Sequence, residues 1–84
     1  MRIKILYRKN LRMSPGKLAA QSVHAALLLA SETRVNANAS VVVLSCSDKK
    51  FEESKLNKRV VAVVRDKGLT EVVPGTETCL AFLD

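Results

Sequence analysis

The sequence predicts a small three-layer α/β domain: a mixed four-stranded sheet, its first three strands parallel and its last antiparallel, with helices on both faces. Three observations carry this expectation. A long apolar stretch opening sharply at Ser14-Pro15-Gly16-Lys17 reads as a helix. Two continuous runs, Val41-Val42-Val43-Leu44 and Val60-Val61-Ala62-Val63-Val64, are too uniformly apolar for half-exposed strands and fit strands covered on both faces. The charged segment between them, Asp48 to Lys58, fits a short second helix, so two helical crossovers would join three parallel strands.

Each element has its own signal. Arg2 to Arg8 places Ile3, Ile5 and Tyr7 on one side and Leu6 on the other, a strand buried on at least one face. Ser14 suits an N-cap, and Pro15 suits the first helical position because its missing N–H would have no partner there. The helix is expected from about Pro15 to Ser31, and a helix apolar nearly all round is expected to be largely buried. Its large polar side chains Lys17, Gln21 and His24 stand at i, i+4 and i+7, within a stripe roughly 60° wide. Thr33 to Ser40 is a polar connection, and Ser47 or Asp48 would cap the second helix. Asp66-Lys67-Gly68 turns the chain, Val73-Pro74-Gly75-Thr76 marks a loop, and Thr78 to Leu83 is the last strand.

Eighty-four residues fit one domain, residues 1–84, with enough apolar content (48%) for a core but little margin. No apolar run reaches membrane-spanning length, and Met1 to Tyr7 is too brief for a signal peptide, so a cytoplasmic protein without a membrane partner is expected. Cys46 and Cys79 lack the clustered Cys/His spacing of a zinc site and read as buried reduced thiols; no metal site is expected. The net charge of +6 is unevenly placed: Arg2, Lys4, Arg8, Lys9, Arg12 and Lys17 face no acid before Glu32, while the bases and acids of the remainder cancel. That asymmetry points to an anionic partner, with nucleic acid first among them, against the plainer reading of solubility alone. With only Tyr7, Phe51 and Phe82 as aromatics, stacking on unpaired bases is not the expected mode.

In open sheets of this kind ligands gather beyond the carboxyl ends of the parallel strands, which is where Lys17 and the Asp66 to Thr70 segment are both expected. The helix start, with Ser14 and Gly16, offers free N–H groups and the positive end of the dipole to a phosphate or a developing oxyanion. Lys17 there is unfavourable by about 0.3 to 1 kcal/mol, which calls for a nearby carboxylate or a functional reason. Asp66 would supply both. In a hydrolytic site Asp66 would orient or partly deprotonate water, Lys17 would stabilise charge developing on a carbonyl oxygen, and Thr70 would position water or substrate. The same residues also fit a plain surface ion pair beside an ordinary turn threonine.

Met13 to Ala26, with its Lys, Ala-Ala-Gln and His-Ala, resembles the helix-opening motif of the type 2 peptidyl-tRNA hydrolases. Asp66-Lys67-Gly68-Leu69-Thr70 leading to Pro74-Gly75-Thr76 resembles their second signature, and Arg8 and Leu11 match the end of their first strand. The resemblance implies cleavage of the ester between peptide and tRNA without metal or other cofactor, with Lys17, Asp66 and Thr70 catalytic. It places Arg8, Arg12, Ser14, Gly16, Gln21, His24 and Thr76 around the substrate and brings the basic amino-terminal third to the tRNA acceptor end. Relatives of this kind are often dimers, so a homodimer is among its implications. The chain departs from the pattern at Asn10, Pro15, Leu69 and Glu71, and Glu32 to Ala39 and Ser45 to Lys58 are shorter than the corresponding helical segments. The alternative from another class is a non-catalytic tRNA-binding or protein-interaction module on the same fold.

Overall fold

The side-chain alternation of β1 (Arg2–Arg8) divides the molecule into two packed layers. Ile3 and Ile5 face a cluster containing Ala25, Leu29, Ala62, Val64, Cys79 and Ala81, whereas Leu6 faces Cys46, Phe51, Leu80 and Phe82. In the computed structural model, which describes residues 1–68 and 71–84, the order is β1, a 3-10 turn (Lys9–Leu11), α1 (Pro15–Glu32), β2 (Ser40–Cys46), α2 (Asp48–Asn57), β3 (Ala62–Arg65) and β4 (Glu77–Leu83). α1 covers one face of the sheet and α2 the other, as expected.

The strand order is β2-β1-β4-β3. β1 and β2 pair in parallel, with Ile3 opposite Val41 and Leu6 opposite Leu44, while β4 is antiparallel to both β1 and β3. The expectation of three parallel strands paired side by side is therefore corrected. β3 does run in the same direction as β1 and β2, but β4 occupies the place between, so one parallel pair remains in a mixed sheet. The physical reason is that a crossover fixes strand direction and not the neighbour chosen, and β4, which is almost wholly buried, fills the central place.

Burial corrects three further expectations. The Val41 to Leu44 run lies on an edge strand, with Val41, Val43 and Leu44 all exposed; only Cys46 at the end of β2 is buried, against Phe51 of α2. The second run begins as a strand only at Ala62 and forms the opposite edge; Ala62 and Val64 are buried beneath α1, while Val61 and Val63 are half-buried against the α2 cluster. α1 itself buries only Gln21, Ser22, Ala25 and Leu29, leaving Val23 and Leu27 about 59% and 62% exposed. Between these and Val41 and Val43 runs an open apolar groove of about 440 Å³.

The two layers differ in side-chain size. Under α1 the sheet offers the fully buried Ala62, Cys79 and Ala81 of β3 and β4, beside Ile3, Ile5 and Val64, against Ala25 and Leu29 of the helix. Under α2 it offers Leu6, Leu80 and Phe82 against Phe51. Small facing residues let a helix axis come closer to its neighbour, and α1 is the helix that carries the polar stripe. Both cysteines are buried and unpaired with each other, one in each layer.

Candidate functional site

β3 and β4 pair with a register shift: Val64 stands opposite Cys79 and Arg65 opposite Glu77, so Thr78 is an extra residue on β4. Such a bulge bends its strand and re-aims the side chain it carries. Alternation along β3 sends Ala62 and Val64 towards α1, and Asp66, two residues on, follows them. The Asp66 main chain is bonded twice, its N–H donating to Thr76 O at 2.9 Å and its carbonyl accepting from Gly75 N–H at 2.7 Å. Its Oδ2 accepts from Gly68 N–H at 2.7 Å, an Asx-type turn. Gly68 is required there: its φ is +76°, and a Cβ would stand 2.3 Å from Pro74 Cγ.

α1 begins at Ser14, whose Oγ accepts from the Lys17 N–H at 3.3 Å, with Pro15 at the first position. Its first turn contains no acid. Glu71 supplies one from across the site, accepting from the Ser14 N–H at 2.7 Å and from the Ser14 hydroxyl. A carboxylate at that end suits the helix dipole. The Ser14 hydroxyl and N–H hold the Glu71 carboxyl below its usual range.

One turn into α1, Lys17 Nζ donates to Asp66 Oδ1 at 2.5 Å, and the two side chains are only 10% and 6% exposed. Hydrogen bonding to Lys17 is the main influence lowering the Asp66 carboxyl below its usual range; desolvation works against it and the Gly68 N–H adds to it. Both carboxylate oxygens thus already accept a bond, which makes Asp66 a weak base, while among the described residues the ammonium keeps two further donors.

A cavity of about 460 Å³ opens over this pair, lined by Lys17, Ala20, Gln21, His24, Arg65, Asp66, Lys67 and Glu71. The i, i+4, i+7 stripe is thereby one wall of the cavity. Gln21 is buried, its Oε1 accepting from the Thr78 hydroxyl at 2.5 Å, whereas His24 is exposed at the rim. The remaining residues expected around a substrate are placed otherwise. Arg8 donates to Asp48 Oδ1 and to Glu77 O, tying β1 to α2 and β4. Arg12 closes the 3-10 turn in the left-handed region, and Gly16 has open space around it. Thr76 donates its hydroxyl to Val73 O at 2.6 Å, bracing the loop and lining no part of the cavity. Thr70 lies outside the described residues.

Four residues of the site escape the sequence reading. Arg65 and Lys67 flank Asp66 and line the cavity, a placement that charge beside a candidate acid could have suggested. Glu71 and Thr78 act through contacts 57 residues away in sequence, which no local spacing reveals. Among the described residues no group of three His, Cys, Asp or Glu is placed to hold a metal ion, and no helix is long and apolar enough to cross a membrane.

The family model described as "Peptidyl-tRNA hydrolase PTH2" matches residues 1–83. A protein named peptidyl-tRNA hydrolase from Methanopyrus kandleri is 43% identical over 92 residues, covering 93% of this chain and 79% of the relative. One of the same name from Haloquadratum walsbyi is 37% identical over 94 residues, covering 98% and 84%. A third, from Thermococcus onnurineus, is 33% identical over 92 residues, covering 92% and 78%. With its helix-opening stripe and its Asp66 turn meeting in one cavity, the chain belongs to the PTH2 family of peptidyl-tRNA hydrolases.

Proposed function

We propose that this chain hydrolyses the ester between the peptide and the terminal ribose of tRNA in peptidyl-tRNA, and that Lys17 and Asp66 are its principal catalytic groups. The observation that carries the reading is the 2.5 Å Lys17–Asp66 pair, almost removed from water at the floor of an open cavity. Water adds to the ester carbonyl, the bond from that carbon to the ribose oxygen breaks, and one proton of the water passes to the ribose oxygen and the other to solvent. The products are a peptide carboxylate and tRNA with a free terminal hydroxyl. The two spare donors of Lys17 meet the oxygen on which negative charge develops. Asp66, whose basicity is lowered, orients the attacking water with a remaining lone pair and holds the ammonium in place. Thr70 completes the reading as the residue that positions water or substrate.

Exposed Lys67 and Arg65 at the cavity mouth, with Lys9 and Arg12 at the end of β1, suit the phosphates of the acceptor end. We read the chain as cytoplasmic, where that substrate is made, and as self-associating through the apolar groove of Val23, Leu27, Val41 and Val43. Val23→Asp would leave a dimer dissociated in sedimentation if the groove is the contact. The function is tested by incubating the purified chain with N-acetyl-aminoacyl-tRNA and measuring free tRNA released. Release that is abolished by Asp66→Ala supports the assignment. Retained tRNA affinity without release moves the chain to the binding-module reading, and wild-type turnover by Asp66→Ala refutes the roles given to the pair.

A further inference from the structure

We propose that Glu71 is a positioning residue that clasps the loop leaving Asp66 onto the turn of α1 bearing Lys17, an inference that rests on the reading of this cavity as the ester-hydrolysing site. The loop is closed at its base, where the Asp66 main chain bonds Gly75 and Thr76. Among the described residues two sets of hydrogen bonds join this loop to the helix start: Lys17 with Asp66, and Ser14 with Glu71. The bond from the Lys17 N–H to Ser14 Oγ completes a ring, running from Lys17 to Asp66, along the chain to Glu71, across to Ser14 and back to Lys17. Without Glu71 that ring is open, and the ion pair alone holds loop and helix together.

The direction of every bond in the clasp is fixed. An N–H only donates and an ionised carboxylate only accepts, so the Ser14 N–H and hydroxyl both donate to Glu71, and a lone pair of the hydroxyl is left to the Lys17 N–H at 3.3 Å. Glu71 lines the cavity with both oxygens already accepting from Ser14, so its part is to hold and not to react. The two links are loaded differently during the reaction. As charge grows on the carbonyl oxygen, the Lys17 ammonium is shared between that oxygen and Asp66, and the direct link slackens. The Glu71 link takes no part in that exchange and keeps the helix start against the loop. Glu71 also follows Thr70 directly in the chain, so the clasp anchors a neighbour of the residue assigned to water or substrate.

The test compares Glu71→Ala, Glu71→Gln, Ser14→Ala and the double variant Ser14→Ala/Glu71→Ala in the tRNA-release assay. Glu71→Ala should lose about three- to tenfold in kcat per folded molecule with KM little changed, the cost of a site held less often in its working geometry. Glu71→Gln, uncharged but still able to meet both Ser14 groups, should recover most of it. The losses of Ser14→Ala and Glu71→Ala should fall well short of multiplying in the double variant, because each opens the same clasp. Wild-type kcat per folded molecule in Glu71→Ala overturns the inference and leaves the contact purely structural. So does a loss in Glu71→Gln equal to that in Glu71→Ala, which assigns the effect to charge, and so do losses that multiply in full. A wild-type chain that binds tRNA without releasing it instead fails the functional reading. In that case amide hydrogen exchange still decides the clasp: the Ser14 and Lys17 N–H groups should exchange slowly in wild type and Glu71→Gln, and faster in Glu71→Ala. Exchange unchanged by Glu71→Ala overturns it.

Discussion

The two faces of the sheet are built from the same strands yet do opposite work. Beneath α2, Phe51 packs on Leu6, Leu80 and Phe82, and the charges around it close no cavity: Lys55 pairs with Glu77 and Glu52, and Arg8 with Asp48. Beneath α1 the small Ala62, Cys79 and Ala81 of β3 and β4 lie beside the larger Ile3, Ile5 and Val64, and the ion pair of Lys17 with Asp66 is nearly dry and floors a cavity. Bulk on one side supplies the cohesion, and smallness on the other lets a helix bearing Lys17 and Gln21 approach Asp66 and Thr78. An ion pair between similar residues is structural in the first setting and, on the function proposed, chemical in the second. What separates the two is desolvation and the open space next to the charges.

The largest effect expected is on the α2 side. Phe51→Ala, at a site only 1% exposed, should cost about 3 to 5 kcal/mol in urea unfolding. That is a large part of the stability of so small a domain, yet the fraction still folded should keep wild-type kcat. Lys17→Met, similar in length but uncharged, should lower kcat per folded molecule about a hundred- to a thousandfold, beside a loss of stability from the Asp66 carboxylate left without its partner. If Phe51→Ala slowed turnover per folded molecule, or Lys17→Met left it unchanged, the division of labour between the faces would be wrong.

Ala81→Val probes the close approach itself. Adding bulk at a fully buried position beneath α1 should cost about 1 to 3 kcal/mol and lower kcat as well, because the helix is displaced from Asp66. Acid sharpens the contrast further. The folded-state Asp66 carboxyl is held below its ordinary range, so its contribution to stability is complete above the unfolded value of about 3.9 and is lost only as pH falls through the lower folded value. The acid limb of kcat/KM should accordingly lie below about pH 4, and a limb near neutrality would show that another group titrates. The smallest effect is expected from Val23→Ser, at an exposed helix position, which should change monomer stability by less than about 0.5 kcal/mol.

Local signals made most of this legible in the sequence. The Ser14-Pro15 start located α1 within a residue, Ser47 proved to be the cap of α2, and the Lys17, Gln21, His24 spacing became a wall of the cavity. Convergence of Lys17 with Asp66 followed from topology, since both leave the same edge of the sheet. The failures share one cause: hydrophobic runs report the preference of a segment and not which neighbour will cover it. Val41 to Leu44 is as apolar as any buried strand, yet it lies on an edge. Strand order was hidden for the same reason, because nothing in β4 announces that it will enter between β1 and β3. The bulge that frees Thr78 depends on pairing between strands and has no marker within either one.

The two buried cysteines make the layered architecture directly readable. Cys79, fully enclosed beneath α1, has its thiol pushed up to about 11, and burial, then Asp48, raises that of Cys46 on the α2 side. Alkylation needs thiolate and access, so each sulfur reacts only when its own layer opens. Mass spectrometry that follows label uptake at the two sites separately would clock the fluctuations of each half, with neither tag nor substitution introduced.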